Sequence, residues 1–200
     1  RILIITYNFP PDISAGAFRV YNLIKHLSKY KKLTIDIVTS TPNRYSNFKS
    51  SKNNDDYYTF ENVNIHKIES LFSSTSFIKE VLTYLNYFIR VIIFSKKNNY
   101  DLIFATSSRL MTGFLGAYIS KIYKTPFYFD VRDIFLDTLK YSNKFFYLLM
   151  FPILNYLENF TVKNSKHINL VSKGFENYFI DKYKIKSLSI HTNGIDDNFI

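Results

Sequence analysis

The sequence predicts an α/β fold, a doubly wound parallel sheet of about six to seven strands flanked by helices. Short runs rich in Ile, Val and Leu recur along the chain, and such runs suit strands buried on both faces. Between them lie segments with apolar residues at helical spacing. The two kinds of segment alternate from end to end, which is the pattern of βαβ units.

The first run, Ile2 to Thr6, is apolar and partly β-branched, and Asn8-Phe9-Pro10-Pro11 bounds it. Ala17, Val20, Tyr21, Ile24, Leu27 and Tyr30 then share one helical face. Leu33 to Thr39 reads as a second strand, ended by Pro42. Residues 43–58, rich in Asn, Ser, Lys and Asp, read as a long surface loop. Val63 to Ile68 suits a third strand, and Phe77 to Phe94 a helix with a wide apolar face, stopped by Lys96-Lys97-Asn98-Asn99. Asp101 to Thr106 is a fourth strand. Leu110 to Tyr123 is a helix whose Gly113, Gly116 and Ala117 allow close packing on a sheet. Phe127 to Val131 is a fifth strand, followed by an apolar helix from Asn143 to Lys163 that Pro152 interrupts. His167 to Val171 is a sixth strand, Gly174 to Lys182 a short helix and Ser187 to His191 a last strand. No internal repeat is present.

Composition narrows the function classes. The 200 residues fit one domain. The absence of cysteine excludes disulfides and thiolate metal sites, and fits a reducing compartment. A formal charge of +10 draws nucleic acid, anionic lipid or phosphorylated ligands, or else reflects lysine-rich codon usage. No apolar run reaches the ~20 residues of a membrane-spanning helix, and the first residues lack the order of a signal peptide. The expectation is a cytoplasmic protein, peripheral on the inner face of the membrane if it meets lipid at all.

Ligands of open parallel sheets bind beyond the carboxyl ends of the strands, so the residues following each strand are the candidates. After the first strand, Ser14, Gly16 and Ala17 open a helix, with Arg19 in its first turn. Backbone N–H groups there suit a phosphate, or Gly16 only relieves a tight turn. The loop lacks both G-x-G-x-x-G and G-x-x-x-x-G-K-[ST], against dinucleotide and P-loop readings. After the fourth strand, Ser107 and Ser108 bind a ligand or cap the next helix. After the fifth come Asp130-Val131-Arg132-Asp133, where Asp130 falls inside the strand and Asp133 beyond it. Asp133 either orients or deprotonates a hydroxyl, or pairs with Arg132 to fix the loop. After the sixth, Ser172 can cap a helix and Lys173 can meet an anion. None of the four histidines stands at metal-ligand spacing with another, and Asp55-Asp56 is not a D-x-D motif, so no metal is expected.

In this order the segments ILIITYNFPPDISAGAFRVYNLIKHL, YDLIFATSSRLMTGFLGAYISKIYKTPFYFDVRDIF, the glutamate of NYLENF, INLVSKGF and HTNGIDDNFI resemble the N-terminal domain of glycosyltransferase family 4, in its bacterial surface-polysaccharide branch (O-antigen and capsule). The likeness runs from residue 2 to the C-terminus. It implies the Rossmann-like N-terminal half of a GT-B fold, residues 1–190 forming the acceptor-side domain. Residues 191–200, with Asn193 and Gly194 as hinge, would open a linker to an absent donor-binding domain. It further implies a retaining transfer from a nucleoside-diphosphate sugar without metal or other cofactor. Arg19 and the Gly16 loop would face the diphosphate, and Asp133 would orient the acceptor hydroxyl or the sugar. The chain departs from the family in having Gly16-Ala17 where Gly-Gly is usual, and Phe135-Leu136 where Trp-Pro is common.

The acceptor implied is a lipid-linked saccharide at an anionic membrane surface. Besides the charge, the helices over 77–94 and 145–157 carry an excess of apolar residues, among them Phe145, Phe146, Leu148, Leu149, Met150, Phe151, Ile153, Leu154 and Leu157. A helix apolar all round is buried or touches lipid. The alternative is a basic stand-alone α/β module that binds nucleic acid or another anion without catalysis. Its basic residues are dispersed and no nucleic-acid motif is present, so no nucleic-acid partner is expected.

Overall fold

The computed structural model describes residues 1–12, 14–41, 59–71, 76–107, 110–136, 144–185 and 188–194. The loop expected over 43–58 lies outside them, as do Ser108 and Ser187. The chain divides into two compact units, Arg1–Asp101 and Leu102–Ile200.

In the first unit, β1 (Ile2–Ile5), β2 (Ile35–Ser40) and β3 (Val63–Ile68) pair in parallel, with Ile2 opposite Ile35 and Ile35 opposite Val63. All six residues of β2 are buried, as in a parallel strand covered on both faces. Helix α1 (Ala15–Leu27) buries Gly16, Ala17, Val20 and Ile24. It ends before Tyr30, at the C-cap Ser28, whose N–H makes the last helical bond to the Ile24 carbonyl. Helix α2 (Phe77–Ser95) turns Tyr84, Tyr87 and Val91 inward. The Tyr87 hydroxyl lies 2.9 Å from the Thr6 carbonyl and 3.1 Å from that of Val38, and its ring meets Tyr7 edge to face. This ties α2 to the carboxyl ends of β1 and β2.

Asp36 on β2 is a fully buried carboxylate of this unit. Arg1 grips it with Nε at 2.7 Å and Nη2 at 3.1 Å, while Asn64 donates at 2.8 Å and Tyr100 at 2.9 Å. Burial alone would push this carboxyl up, but the hydrogen bonds from Arg1, Asn64 and Tyr100 and the Arg1 charge hold it below the usual carboxylate range. Burial in turn pushes the Tyr100 phenol up to about 12.

In the second unit β4 (Leu102–Thr106), β5 (Phe127–Val131), β6 (His167–Leu170) and β7 (Ser189–Ile190) pair in parallel in that order. Helix α3 (Leu110–Tyr123) packs against β4 and β5, and α4 (Lys144–Lys163) against α3. The break expected at Pro152 does not occur, because α4 continues through it. Pro152 and Leu148 are both exposed, on a side of the helix where water can replace the N–H partner that a proline removes. The short helix expected over 174–182 is a 3-10 turn, Lys173–Phe175, leading into α5 (Glu176–Tyr183). Lys184, with φ 55°, ends it in the left-handed region.

The chain thus has an α/β, Rossmann-like architecture of parallel strands flanked by helices. Helix and strand approach each other closely at the two glycines of α3. A Cβ on Gly113 would stand 2.4 Å from Phe129 Cε2, and one on Gly116 would stand 2.7 Å from Phe127 Cε2 and 2.8 Å from Ala105 Cβ. The Ala105 methyl is fixed to its strand and cannot yield. Gly116→Ala is therefore expected to lower stability by about 1–2 kcal/mol, the overpacking outweighing the better helix propensity of alanine. A fall in the urea midpoint checks this, and a rise would contradict the packing.

Candidate functional site

The candidates of the first unit cluster at the start of α1. Ser14 is the N-cap, with extended backbone, and its Oγ accepts from the Ala17 N–H at 3.2 Å. One of the N–H groups expected to face a phosphate is therefore already committed within the loop. Gly16 and Ala17 are buried and Arg19 is half-buried. Asp12, which the sequence pattern did not single out, is buried in the same loop and its N–H bonds the Phe9 carbonyl. A carboxylate there opposes an anion.

The candidates of the second unit follow neighbouring strand ends, because β4, β5 and β6 run side by side with Thr106 opposite Asp130 and Val131 opposite Leu170. Ser107 is buried and acts as a clip. Its N–H donates to the Asp130 carbonyl at 2.9 Å, and its Oγ accepts the Arg132 N–H at 2.9 Å. Its hydroxyl thus holds the turn after β5, where helix capping or ligand binding was expected. Asp130 lies inside β5, as expected, and is buried. It accepts from Asn169 Nδ2 at 2.7 Å, and Asn169 in turn accepts from Ser189 Oγ at 3.0 Å, with His167 Nε2 2.9 Å from the same Oγ. Asp130 is therefore the buried end of a hydrogen-bond chain across β5, β6 and β7.

Asp133 is exposed beyond the strand end. It lines a small pocket with Ser107, Leu110, Phe135, Glu158 and Phe179. Arg132 beside it is half-buried. Ser172 caps the following turn by accepting the Gly174 N–H at 3.2 Å, which leaves Lys173 exposed next to it. Asn193 and Gly194 are exposed, and the space around Gly194 is open, with no atom within 4 Å of where a Cβ would stand.

The structure thus brings Ser107 and Asp133 into one pocket and sets Arg132, Ser172 and Lys173 at adjoining strand ends. Ser108 lies outside the described residues. Glu158, the glutamate of NYLENF, carried part of the family resemblance but was not among the candidate site residues; the structure makes it a buried carboxylate in the pocket wall. Its signal was a lone acid within the apolar stretch of α4.

No family model matches the chain, and no curated protein matches it in sequence. Solved structures do match. HepE of Anabaena, in complex with UDP, matches with a TM-score of 0.59 at 14% identity, over 99% of this chain and 45% of its own. A sucrose-phosphate synthase from Thermosynechococcus elongatus matches with a TM-score of 0.58 at 9% identity, over 100% of this chain and 91% of its own. The lipopolysaccharide outer core galactosyltransferase WaaB, in its apo form, matches with a TM-score of 0.58 at 8% identity, over 98% of this chain and 46% of its own. The chain spans about half the length of HepE and WaaB. At these identities the likeness shows the fold, the Rossmann-like α/β fold built into GT-B glycosyltransferases.

The Ser107 clip is open to test. Ser107→Ala removes the acceptor of a half-buried N–H, and the expected loss is about 1–2 kcal/mol of unfolding free energy in urea. An unchanged midpoint would mean that water replaces the hydroxyl at no cost.

Proposed function

We propose that this chain is the acceptor-side domain of a retaining glycosyltransferase of family 4. The enzyme would transfer a sugar from a nucleoside-diphosphate sugar to a lipid-linked saccharide in O-antigen- or capsule-type polysaccharide synthesis. The observation that carries the reading is the exposed Asp133 carboxylate in a pocket at the carboxyl ends of β4 and β5, within a fold shared with nucleotide-sugar enzymes. HepE has been solved with UDP-glucose as well as with UDP.

In this reading residues 1–190 are the acceptor domain, and 191–200 open the linker, hinged at Asn193 and Gly194, to a donor-binding domain. Asp133 accepts a hydrogen bond from the acceptor hydroxyl and orients it for attack on the anomeric carbon. The hydroxyl attacks on the face from which the diphosphate leaves, so configuration is kept. Lys173 supplies positive charge for the departing diphosphate, in place of a metal.

Lipid-linked acceptors require a membrane surface. No helix among the described residues is long and apolar enough to cross a membrane. Helix α2 does turn an apolar stripe outward: Ile78, Leu82, Leu85, Ile89 and Ile93 are all exposed. Lys79, Arg90, Lys96 and Lys97 are exposed beside or below it, and the one acid of the helix is Glu80. On α4, Leu148, Leu149, Phe151 and Ile153 are exposed as well. Apolar stripes flanked by cations support contact with anionic lipid in the interfacial plane.

The transfer is tested on the full-length protein with a panel of nucleoside-diphosphate sugars and a lipid-linked acceptor, the product anomer being read by NMR. Asp133→Asn is expected to lower kcat roughly a hundredfold or more. Turnover of no nucleotide sugar would overturn the reading, and an inverted product its retaining part. Membrane contact is tested by flotation with anionic vesicles at moderate salt. The protein is expected to float and Leu85→Asp to sediment; a wild-type protein that sediments would sink the claim.

A further inference from the structure

Glu158 is an unusual residue to bury. It sits in α4 and is 3% exposed, and a lone carboxylate in such a place costs several kcal/mol unless donors meet it. Three donors do, all on one oxygen. Oε1 accepts from the Tyr178 hydroxyl at 2.6 Å, from Lys182 Nζ at 2.9 Å and from the Tyr183 hydroxyl. All three come from one face of α5. The Lys182 ammonium also lies 4.9 Å from the Tyr178 ring centroid and 5.1 Å from that of Tyr183, and it donates to the Tyr178 hydroxyl at 2.7 Å. The buried acid and the ammonium thus meet beside two aromatic rings, with Lys182 itself reaching the surface.

Helix α5 needs this anchor. It has eight residues, too few to hold together alone, and its one buried side chain is Phe179. It grows directly out of the Lys173–Phe175 turn, which Ser172 caps at the carboxyl end of β6. Phe179 and Glu158 line the same pocket as Ser107 and Asp133. Whatever fixes α5 therefore also fixes where Lys173 stands and how the pocket is walled.

We propose that Glu158 is a positioning residue for the site, holding α5, and through it the Ser172-Lys173-Gly174 turn and the Phe179 wall, in register with Asp133. The proposal rests on the glycosyltransferase reading for its effect on turnover, but not for its mechanical part. The Glu158 Oε1 is taken up by the three donors of α5. Its carboxylate acts by clamping the helix that follows the Lys173–Phe175 turn.

The test uses the full-length protein with Glu158→Gln, which keeps an acceptor for the tyrosines but loses the ion pair. Tyr183→Phe, which removes one donor, serves as the milder second variant. Two readouts are taken. Amide hydrogen exchange over residues 172–183 is expected to quicken roughly tenfold in Glu158→Gln while the rest of the protein keeps its protection. The KM for the nucleotide sugar is expected to rise roughly tenfold with little change in kcat, as displaced binding groups do. In a Lys173→Ala background the same substitution is expected to have almost no further effect on KM, because Glu158 acts through that turn. Unchanged exchange over 172–183 would overturn the proposal whatever the kinetics. Faster exchange with both kinetic constants unmoved, or effects on KM that simply multiply, would overturn it too and leave only a structural clamp. A wild-type protein that turns over no nucleotide sugar would instead overturn the glycosyltransferase reading, and exchange alone would then decide whether Glu158 holds the turn.

Discussion

The second unit depends on how closely α3 lies against β4 and β5. Gly113 and Gly116 present no side chain to the strands, and Phe127, Phe129 and Ala105 fill the space left. With α3 seated so low, α4 can pack across it, the Phe114 and Phe160 rings meeting at 5.2 Å and the Thr161 methyl standing 3.2 Å from where a Gly113 Cβ would be. That seat places Glu158 beneath α5. Each larger feature of the unit inherits its position from two missing methyl groups, since close-packed interiors do not absorb a carbon without shifting something.

The carboxylates sort by environment. Asp36, Asp130 and Glu158 are buried, and each accepts hydrogen bonds from donors around it. Their charge is spent on holding strands and helices together. Asp133 is exposed at a strand end and can meet a ligand without first giving up a structural partner of that kind. Burial and hydrogen bonding, not residue type, separate an acid that fixes the scaffold from one open to chemistry.

Much of the architecture was legible because it rests on local pattern. Strands such as Phe127–Val131 and Val63–Ile68 are short apolar or alternating runs between turn residues, and α3 declares its close packing through its glycines. The position of Asp130 inside β5 and Asp133 beyond it follows from counting along the strand. What was not legible depends on contacts distant in sequence. The role of Ser107 is set by Arg132, 25 residues away, and that of Glu158 by residues 20 to 25 positions later. Pro152 misled because a proline predicts a lost hydrogen bond, whereas the outcome turns on whether water can reach the freed carbonyl. At the start of α1, small residues suggested an open anion cradle, and the Ser14 hydroxyl is what occupies part of it.

The outward stripe of α2 makes the solvent part of this protein's energetics. Ile78, Leu82, Leu85, Ile89 and Ile93 lie along one side of the helix, opposite the face that buries Tyr84, Tyr87 and Val91. Their free energy in water depends on what else is dissolved there. Sulfate and phosphate, which are excluded from protein surfaces, raise the cost of exposed apolar area, while urea lowers it. Isolated in aqueous buffer, the protein is therefore prone to salting out, and its solubility is governed as much by the choice of anion as by its own excess of lysine.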